Sequence, residues 1–348
     1  MTRKTPIRRQ FFFAAPSFAT MGVELGDVVV AHETPLEEVG GRVGIDAYNA
    51  LYGFLANIRG RDGEPLKDSK GRVTSHLSGL LYRTANLYEA GIKPCYVFDG
   101  EPPALKQKTL EQRDERRSDA EEAYEEAARR GDEKAMLKHA QQATRLEPPQ
   151  VETSVNLLDS LNVPWLEAPA EGEAQAVRMC RDDALNSVGS QDYDSLLFGA
   201  PTLVRNLAIR GRGGDELVPE RIVLEETLDE LGLTREQLVE VAVLIGTDYN
   251  DGIHGYGPKT ALETVRDGGF DEAVDEHADE FGVDVDDVKT LFLEPQTTGD
   301  YTVEWETPDV DAAVSLLVDE HDFSRDRVAS AVGRIEDATT QSSLDRWS

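Results

Sequence analysis

Several short apolar runs in this chain end on a carboxylate, and this pattern constrains the fold more than any other feature. RVGID closes on Asp46 and KPCYVFD closes on Asp99. Further acids stand in APAEGEAQA (Glu171, Glu173), GSQDYDSLLFG (Asp192, Asp194) and LIGTDYNDGIHGYGPK (Asp248). RVGID, KPCYVFD and PTLVRNL read as short buried strands. Between them lie helical patterns such as SHLSGLLYRTANLYEAG, which Gly91 closes. Strand and helix alternate from Arg42 to Asn206, which predicts an α/β layer fold with a largely parallel sheet. Ligands of such sheets bind beyond the carboxyl ends of the strands, where Asp46 and Asp99 stand. No G-x-G-x-x-G follows the first strand, so the chain lacks the usual dinucleotide signature.

The pairs Glu171/Glu173 and Asp192/Asp194 are spaced i, i+2. In extended chain such side chains face one way; at a helix start they fan around its first turn. A lone D-x-D in an acidic chain carries little information. Seven acids in five separate stretches, several flanked by apolar residues and glycine, carry much more. Crowded like charges repel, and a cation is the usual remedy. Mg²⁺ takes carboxylate oxygens and water, so convergence of these seven would suit two-metal phosphodiester hydrolysis.

Charge bears on partners. The chain has 36 basic and 67 acidic residues, a net −31, with 10 Lys against 26 Arg. Such a balance ordinarily argues against nucleic acid, which calls for a positive face. It also suits a high-salt cytoplasm, where a solvated acidic surface maintains solubility and a Debye length of roughly 3 Å at 1 M screens self-repulsion. Under that reading, local basic clusters matter more than net charge. Cys95 and Cys180 lack metal spacing and suit buried thiols in a reducing, cytoplasmic compartment. No apolar run reaches the roughly 18 residues of a membrane span. Residues 1–20 carry Arg3, Lys4, Arg8 and Arg9 and no acid, leaving −35 for the rest. They superficially resemble a twin-arginine signal; a start at Met21 accounts better for the abrupt change of character.

Residues 104–146 are helix-forming, highly charged and poor in large apolar side chains, as a solvated helix pair would be. Lys106 and Arg113 are seven apart and so share a face, one that follows Asp99 closely. Residues 235–265 look helical and are broken by Gly246, Gly252, Gly255 and Gly257. Within this region, IHGYGPKTA resembles a helix–hairpin–helix phosphate clamp, with Pro258 in the first turn of its second helix. An ordinary Gly/Pro turn is the plainer alternative. Tyr52 is either a core residue or a platform for a base, and Arg83 either a helix-surface residue or a phosphate contact. Residues 267–324 hold 19 acids and one base, Lys289, and read as a helical acidic surface. QSSLDRWS, 341–348, reads as a flexible tail.

Taken in order, VGIDAYNALY, TSHLSGLLYRT, GIKPCYVFDGEPPALK, EAPAEGEAQA, SQDYDSLLFG and GTDYNDGIHGYGPK resemble the flap structure-specific endonucleases of the archaeal and eukaryotic type, within the XPG-like 5′-nuclease superfamily. The resemblance spans residues 21–348 and implies a mixed sheet between helices, of PIN-like 5′-nuclease type. A helical arch (104–146) would cross the active site, and a helix–two-turn–helix would grip the duplex. The implied divisions are a leader (1–20), an N-terminal nuclease region (21–118), an internal one (142–275), a C-terminal acidic region (276–340) and a tail (341–348). The implied reaction is Mg²⁺-dependent cleavage of 5′-flap DNA, with 5′–3′ exonuclease activity, in lagging-strand maturation and long-patch base excision repair.

By the same resemblance, Asp46, Asp99, Glu171 and Glu173 would hold one metal and Asp192, Asp194 and Asp248 a second, partly through water. Mn²⁺ could substitute for Mg²⁺. Lys106 and Arg113 would contact the scissile phosphate, and Tyr52 would stack on the terminal base pair. Arg59 and Arg83 would hold strand phosphates. Gly246 and the hairpin with Gly255, Gly257 and Lys259 would bind the duplex backbone, with a K⁺. Gln341, Leu344 and Trp347 fit a sliding-clamp (PCNA) box, although Ser348 replaces its second aromatic. The implied protein is a monomer with no membrane contact. Another 5′ nuclease of the superfamily, with exonuclease or bubble-cutting duty, is the runner-up, and a non-catalytic clamp-associated scaffold or a cation store are alternatives from other classes; the short Asp99–Glu171 spacing argues against the long insertion of bubble-cutting members, the full acid set against the scaffold, and the arch cations and hairpin, which storage would not need, against the cation store.

Overall fold

The computed structural model describes residues 23–60, 64–130, 139, 144–207 and 218–344. Among them lie seven strands: β1 (Ala31–Glu33), β2 (Gly41–Asp46), β3 (Ile92–Phe98), β4 (Trp165–Glu167), β5 (Ser187–Gly189), β6 (Thr202–Arg205) and β7 (Glu220–Val223). They form one sheet in the order β1-β7-β6-β5-β2-β3-β4. Five neighbours, β6, β5, β2, β3 and β4, run parallel, and β7 returns antiparallel with β1 on its outer edge. The sheet is therefore mixed and largely parallel, with strands of residues 21–118 and 142–275 interleaved.

Both faces of the sheet are covered, as a parallel sheet requires. On β3, Cys95 and Val97 join the core made with helices Gly172–Arg181, Arg235–Ile245 and Val285–Leu293. Tyr96 and Phe98 point the other way, toward helices Ala47–Asn57, Ser75–Glu89, Pro148–Ser160 and Arg325–Leu344. Alternate side chains thus enter opposite cores, and because both are apolar KPCYVFD reads as one short buried apolar run. Both cysteines are free and buried. The helix over residues 75–89 ends where expected, and Gly91 takes φ +75°, which suits a residue without Cβ.

Two expectations change. Residues 267–324 are not helical throughout: beyond Leu293 the chain has no helix until Val310. The intervening segment straps the sheet, with Trp305 Nε1 donating to the Pro94 carbonyl at 2.8 Å and Asn162 Nδ2 to that of Thr307 at 2.6 Å. Such anchoring is long-range and leaves no local periodicity. The last helix runs through Leu344, so the first half of the expected flexible tail is helical. Among the described residues no helix is long and apolar enough to cross a membrane. Residues 1–20, Met21, Trp347 and much of the second half of the 104–146 segment lie outside the described residues.

Candidate active site

The parallel strands deliver the acids to one end of the sheet. Asp46 is the last residue of β2 and Asp99 follows β3. Glu171 and Glu173 follow β4 at the start of helix Gly172–Arg181, and Asp192 and Asp194 follow β5. The crossovers β2-to-β3 and β5-to-β6 move apart from the β2/β5 boundary, which makes it the topological switch point of the sheet. Asp248 arrives from the helical layer, just beyond helix Arg235–Ile245.

Local hydrogen bonds fix most of these side chains. Asp46 caps helix Ala47–Asn57, its Oδ1 accepting from the Asn49 amide at 3.0 Å. Asp99 Oδ1 accepts from the Gly172 amide at 2.7 Å. A Cβ at residue 172 would lie 2.9 Å from that oxygen, so a side chain there would crowd the carboxylate. Asp194 Oδ1 accepts from the Val23 amide at 3.0 Å, and Glu173 Oε1 from Ser195 Oγ at 2.9 Å. Asn49 Nδ2 reaches Asp192 Oδ2 at 3.4 Å. Lys106 Nζ donates to Glu171 Oε2 at 2.7 Å and lies 3.9 Å from Asp248 Oδ2. Thr109 Oγ1 donates to the Asp248 carbonyl at 2.6 Å.

Electrostatics bind the seven acids into one cluster. Burial, with Glu171 adding to it, pushes Asp46 up to about 6. Burial and the charges of Glu171 and Asp46 push Asp99 up to about 8. Burial and Asp248 push Asp194 up to about 7. Glu173 is raised well above the carboxylate range by burial and by Asp192, Asp46 and Asp194. Every acid of the set thus feels another from a different stretch of chain, and crowded, desolvated carboxylates of this kind favour a bound cation.

The donor set fits hard divalent cations: seven carboxylate groups and no thiolate or imidazole among them. Among the described residues no three His, Cys, Asp or Glu side chains stand close enough together to hold a metal ion directly. Mg²⁺ retains several waters and can meet part of such a set through them.

The other sequence candidates are placed differently. Lys106 is buried, at 8 % exposure, rather than on a solvated face. It sits in the short turn Ala104–Lys106 that leads into helix Gln107–Arg130. That helix carries Arg113, whose side chain lies outside the description. Tyr52, expected at a terminal base pair, is 1 % exposed and packs in the interior, because its helix buries nearly all of its length. Arg83, expected on phosphates, is half-buried and donates through Nε to the Leu207 carbonyl at 2.6 Å. Arg59 donates to the Ala56 carbonyl at 2.9 Å and to Thr144 Oγ1 at 3.1 Å, linking the end of helix Ala47–Asn57 to the far end of the 104–146 segment.

Gly246 takes φ +106° and forms a bridge with Asp251, and Gly255 takes φ +88°. Gly257 caps helix Pro258–Arg266, and Lys259 is exposed at its start. Gln341 is exposed near the end of the last helix, and Leu344 is its final residue. Sequence reasoning missed Asn49, Ser195, Thr109 and Tyr249, whose hydroxyl meets Glu171. Adjacency to an acid was the only sequence signal for Ser195 and Tyr249.

Comparison with known proteins agrees with this geometry. Residues 25–120 match the XPG N-terminal domain and residues 162–248 the XPG I-region. A relative from Methanoculleus marisnigri, flap endonuclease 1, is 46 % identical over 334 residues, covering 94 % of this chain and all of that protein. The solved flap endonuclease-1 from Methanococcus jannaschii superposes with a TM-score of 0.74 at 38 % identity, covering 92 % of this chain and 100 % of that one. The catalytic core of Rad2 in complex with DNA substrate shares the fold at a TM-score of 0.67 and 23 % identity, covering 90 % and 99 %.

Proposed function

The chain belongs to the flap endonuclease family, and on that premise we propose that its carboxylate cluster is the centre of a metal-dependent 5′-flap endonuclease of DNA replication and repair. The observation that carries this reading is the meeting of seven acids from five chain segments at the switch point of one sheet. Asp46, Asp99, Glu171 and Glu173 would hold one Mg²⁺, and Asp192, Asp194 and Asp248 would serve a second, partly through water, with Mn²⁺ able to replace either. Two metals held there would supply a water of lowered pKa and offset charge on the phosphodiester; addition of that water across the P–O3′ bond leaves a 5′-phosphate and a 3′-hydroxyl.

The chain's own groups do the rest. Buried carboxylates exclude bulk water and hold their oxygens through the Asn49, Gly172 and Val23 amides. Lys106, already among the acids, would exchange its carboxylate partner for the scissile phosphate, with Arg113 seven residues further on in the helix that follows. Tyr52 and Arg83 reach a base or phosphate only by leaving the contacts described above. Arg59, half-buried beyond the end of helix Ala47–Asn57, would hold a strand phosphate. The turn around Gly255, Gly257 and Lys259, where no atom crowds either glycine, suits close approach of a duplex phosphate and a K⁺. Gln341, Leu344 and Trp347 would dock a sliding clamp, and the working unit is a monomer in the cytoplasm.

Cleavage assays on 5′-flap, bubble and nicked duplex DNA test this reading. Mg²⁺-dependent incision at the flap junction, abolished by EDTA, is the expected result. Preferential cutting of the bubble would favour the bubble-cutting relatives, and binding without cutting would leave a scaffold.

A further inference from the structure

The five residues Ser190–Asp194, an irregular loop of four and the first residue of helix Asp194–Phe198, carry two of the seven acids. One side chain from the neighbouring strand grips this loop from both sides of Asp192. Arg205, the last residue of β6, donates through Nε to the Gln191 carbonyl at 3.0 Å. Its Nη1 donates to the Tyr193 hydroxyl at 2.5 Å, and its guanidinium lies 4.2 Å from the centre of the Tyr193 ring. The same Nη1 meets Glu220 Oε2 at 2.9 Å. Glu220 is the register partner of Arg205 across the β6–β7 ladder, so the fork is also held from behind. On the far side, a Cβ at Gly26 would come within 3.0 Å of the Tyr193 hydroxyl, which leaves the ring little room to turn.

We propose that Arg205 is a positioning residue for metal binding: by clamping Gln191 and Tyr193 it fixes the backbone that aims the Asp192 and Asp194 carboxylates. The proposal rests on the assignment of those two acids as metal ligands. Arg205 touches neither acid; it acts through the residues that flank them. A planar guanidinium can donate to a carbonyl, donate to a hydroxyl and stack on a ring at once, whereas an ammonium in its place cannot. Arg205 is also 22 % exposed, with its donors turned onto the loop and Glu220, which leaves little of it for DNA. Groups that orient metal-binding side chains typically change metal affinity by ~10–100-fold when removed.

The test compares the full-length Arg205→Lys, Tyr193→Phe and Asp192→Ala proteins with the wild type. Three quantities are measured: Mn²⁺ binding to the DNA-free protein by calorimetry, the Mg²⁺ concentration giving half the maximal single-turnover rate, and affinity for 5′-flap DNA in EDTA. Arg205→Lys should weaken Mn²⁺ binding and raise the half-saturating Mg²⁺ by ~10-fold or more, with flap affinity unchanged and the rate largely recovered at high Mg²⁺. Tyr193→Phe, which loses only the hydroxyl contact, should shift both metal measurements the same way and less. A role confined to stability would leave the metal dependence of the folded protein unmoved. Wild-type metal binding in Arg205→Lys, or a loss confined to flap affinity, overturns the proposal. Should Arg205→Lys fail to fold, unchanged Mn²⁺ binding in Tyr193→Phe overturns it instead. Asp192→Ala separates the two claims. If it too binds Mn²⁺ normally, the ligand assignment fails and the proposal with it. If it loses metal while the Arg205 and Tyr193 variants do not, the positioning role alone fails.

Discussion

At Asp99, burial and two neighbouring carboxylates raise the group from an ordinary 3.8 to about 8. The unfolded chain ionises this group near 3.8, so the folded protein loses stability to it as pH rises from there to about 8. Asp99→Asn retains the oxygen that accepts from the Gly172 amide and removes the charge. In EDTA the variant should therefore melt above the wild type at pH 8, and the difference should vanish near pH 4; equal melting temperatures at pH 8 would contradict the account. The seven acids themselves were legible because each stood beside apolar residues or glycine where charge is otherwise costly. Their partners were not. The Val23 amide meets Asp194 across 171 positions of sequence, and no local pattern encodes such a contact. Tyr52 shows the converse, since an aromatic has the same letter in the core as at a DNA surface, and nothing in the sequence signals that the half-buried Arg83 meets the Leu207 carbonyl 124 positions away.

Among the elements, β2, β3 and β6 were readable because four to seven apolar-rich residues stand between clear turn signals. β1, β4 and β5 have three residues each, too few to show a period, and β7, ERIV, opens on two charged residues rather than an apolar run. The helix of residues 107–130 was legible by propensity, but the burial of Lys106 in the short turn before it was not, because the cost of burying Lys106 is met by Glu171, 65 positions away. At the other end of the chain, the helix carrying Gln341 and Leu344 is anchored near its middle, where Arg334 Nη1 meets Asn86 at 2.9 Å and Glu89 at 2.7 Å. This anchor lies well before residue 341. Deleting residues 341–348 should therefore spare intrinsic flap cleavage and remove stimulation by a sliding clamp. Equal stimulation with and without these residues would refute the docking assignment.

For the molecule as a whole, the doubly covered sheet follows from the alternating pattern, and the acidic exterior follows from composition. A net charge of −31 with only 10 lysines should let cleavage persist in molar KCl, where phosphate contacts of an ordinary nuclease are lost to competing ions. A protein folded and active only below about 0.2 M salt would refute the high-salt reading. The central claim is that acids from both the sheet and the helical layer form one catalytic centre. Asp248 tests it most directly, because it alone of the seven comes from beyond helix Arg235–Ile245. The measurement is single-turnover cleavage of a 5′-flap DNA by Asp248→Ala at saturating Mg²⁺, with flap affinity determined alongside. Cleavage should be abolished with binding retained. A rate above about a tenth of the wild type, a barrier change under ~1.4 kcal/mol, would contradict the account.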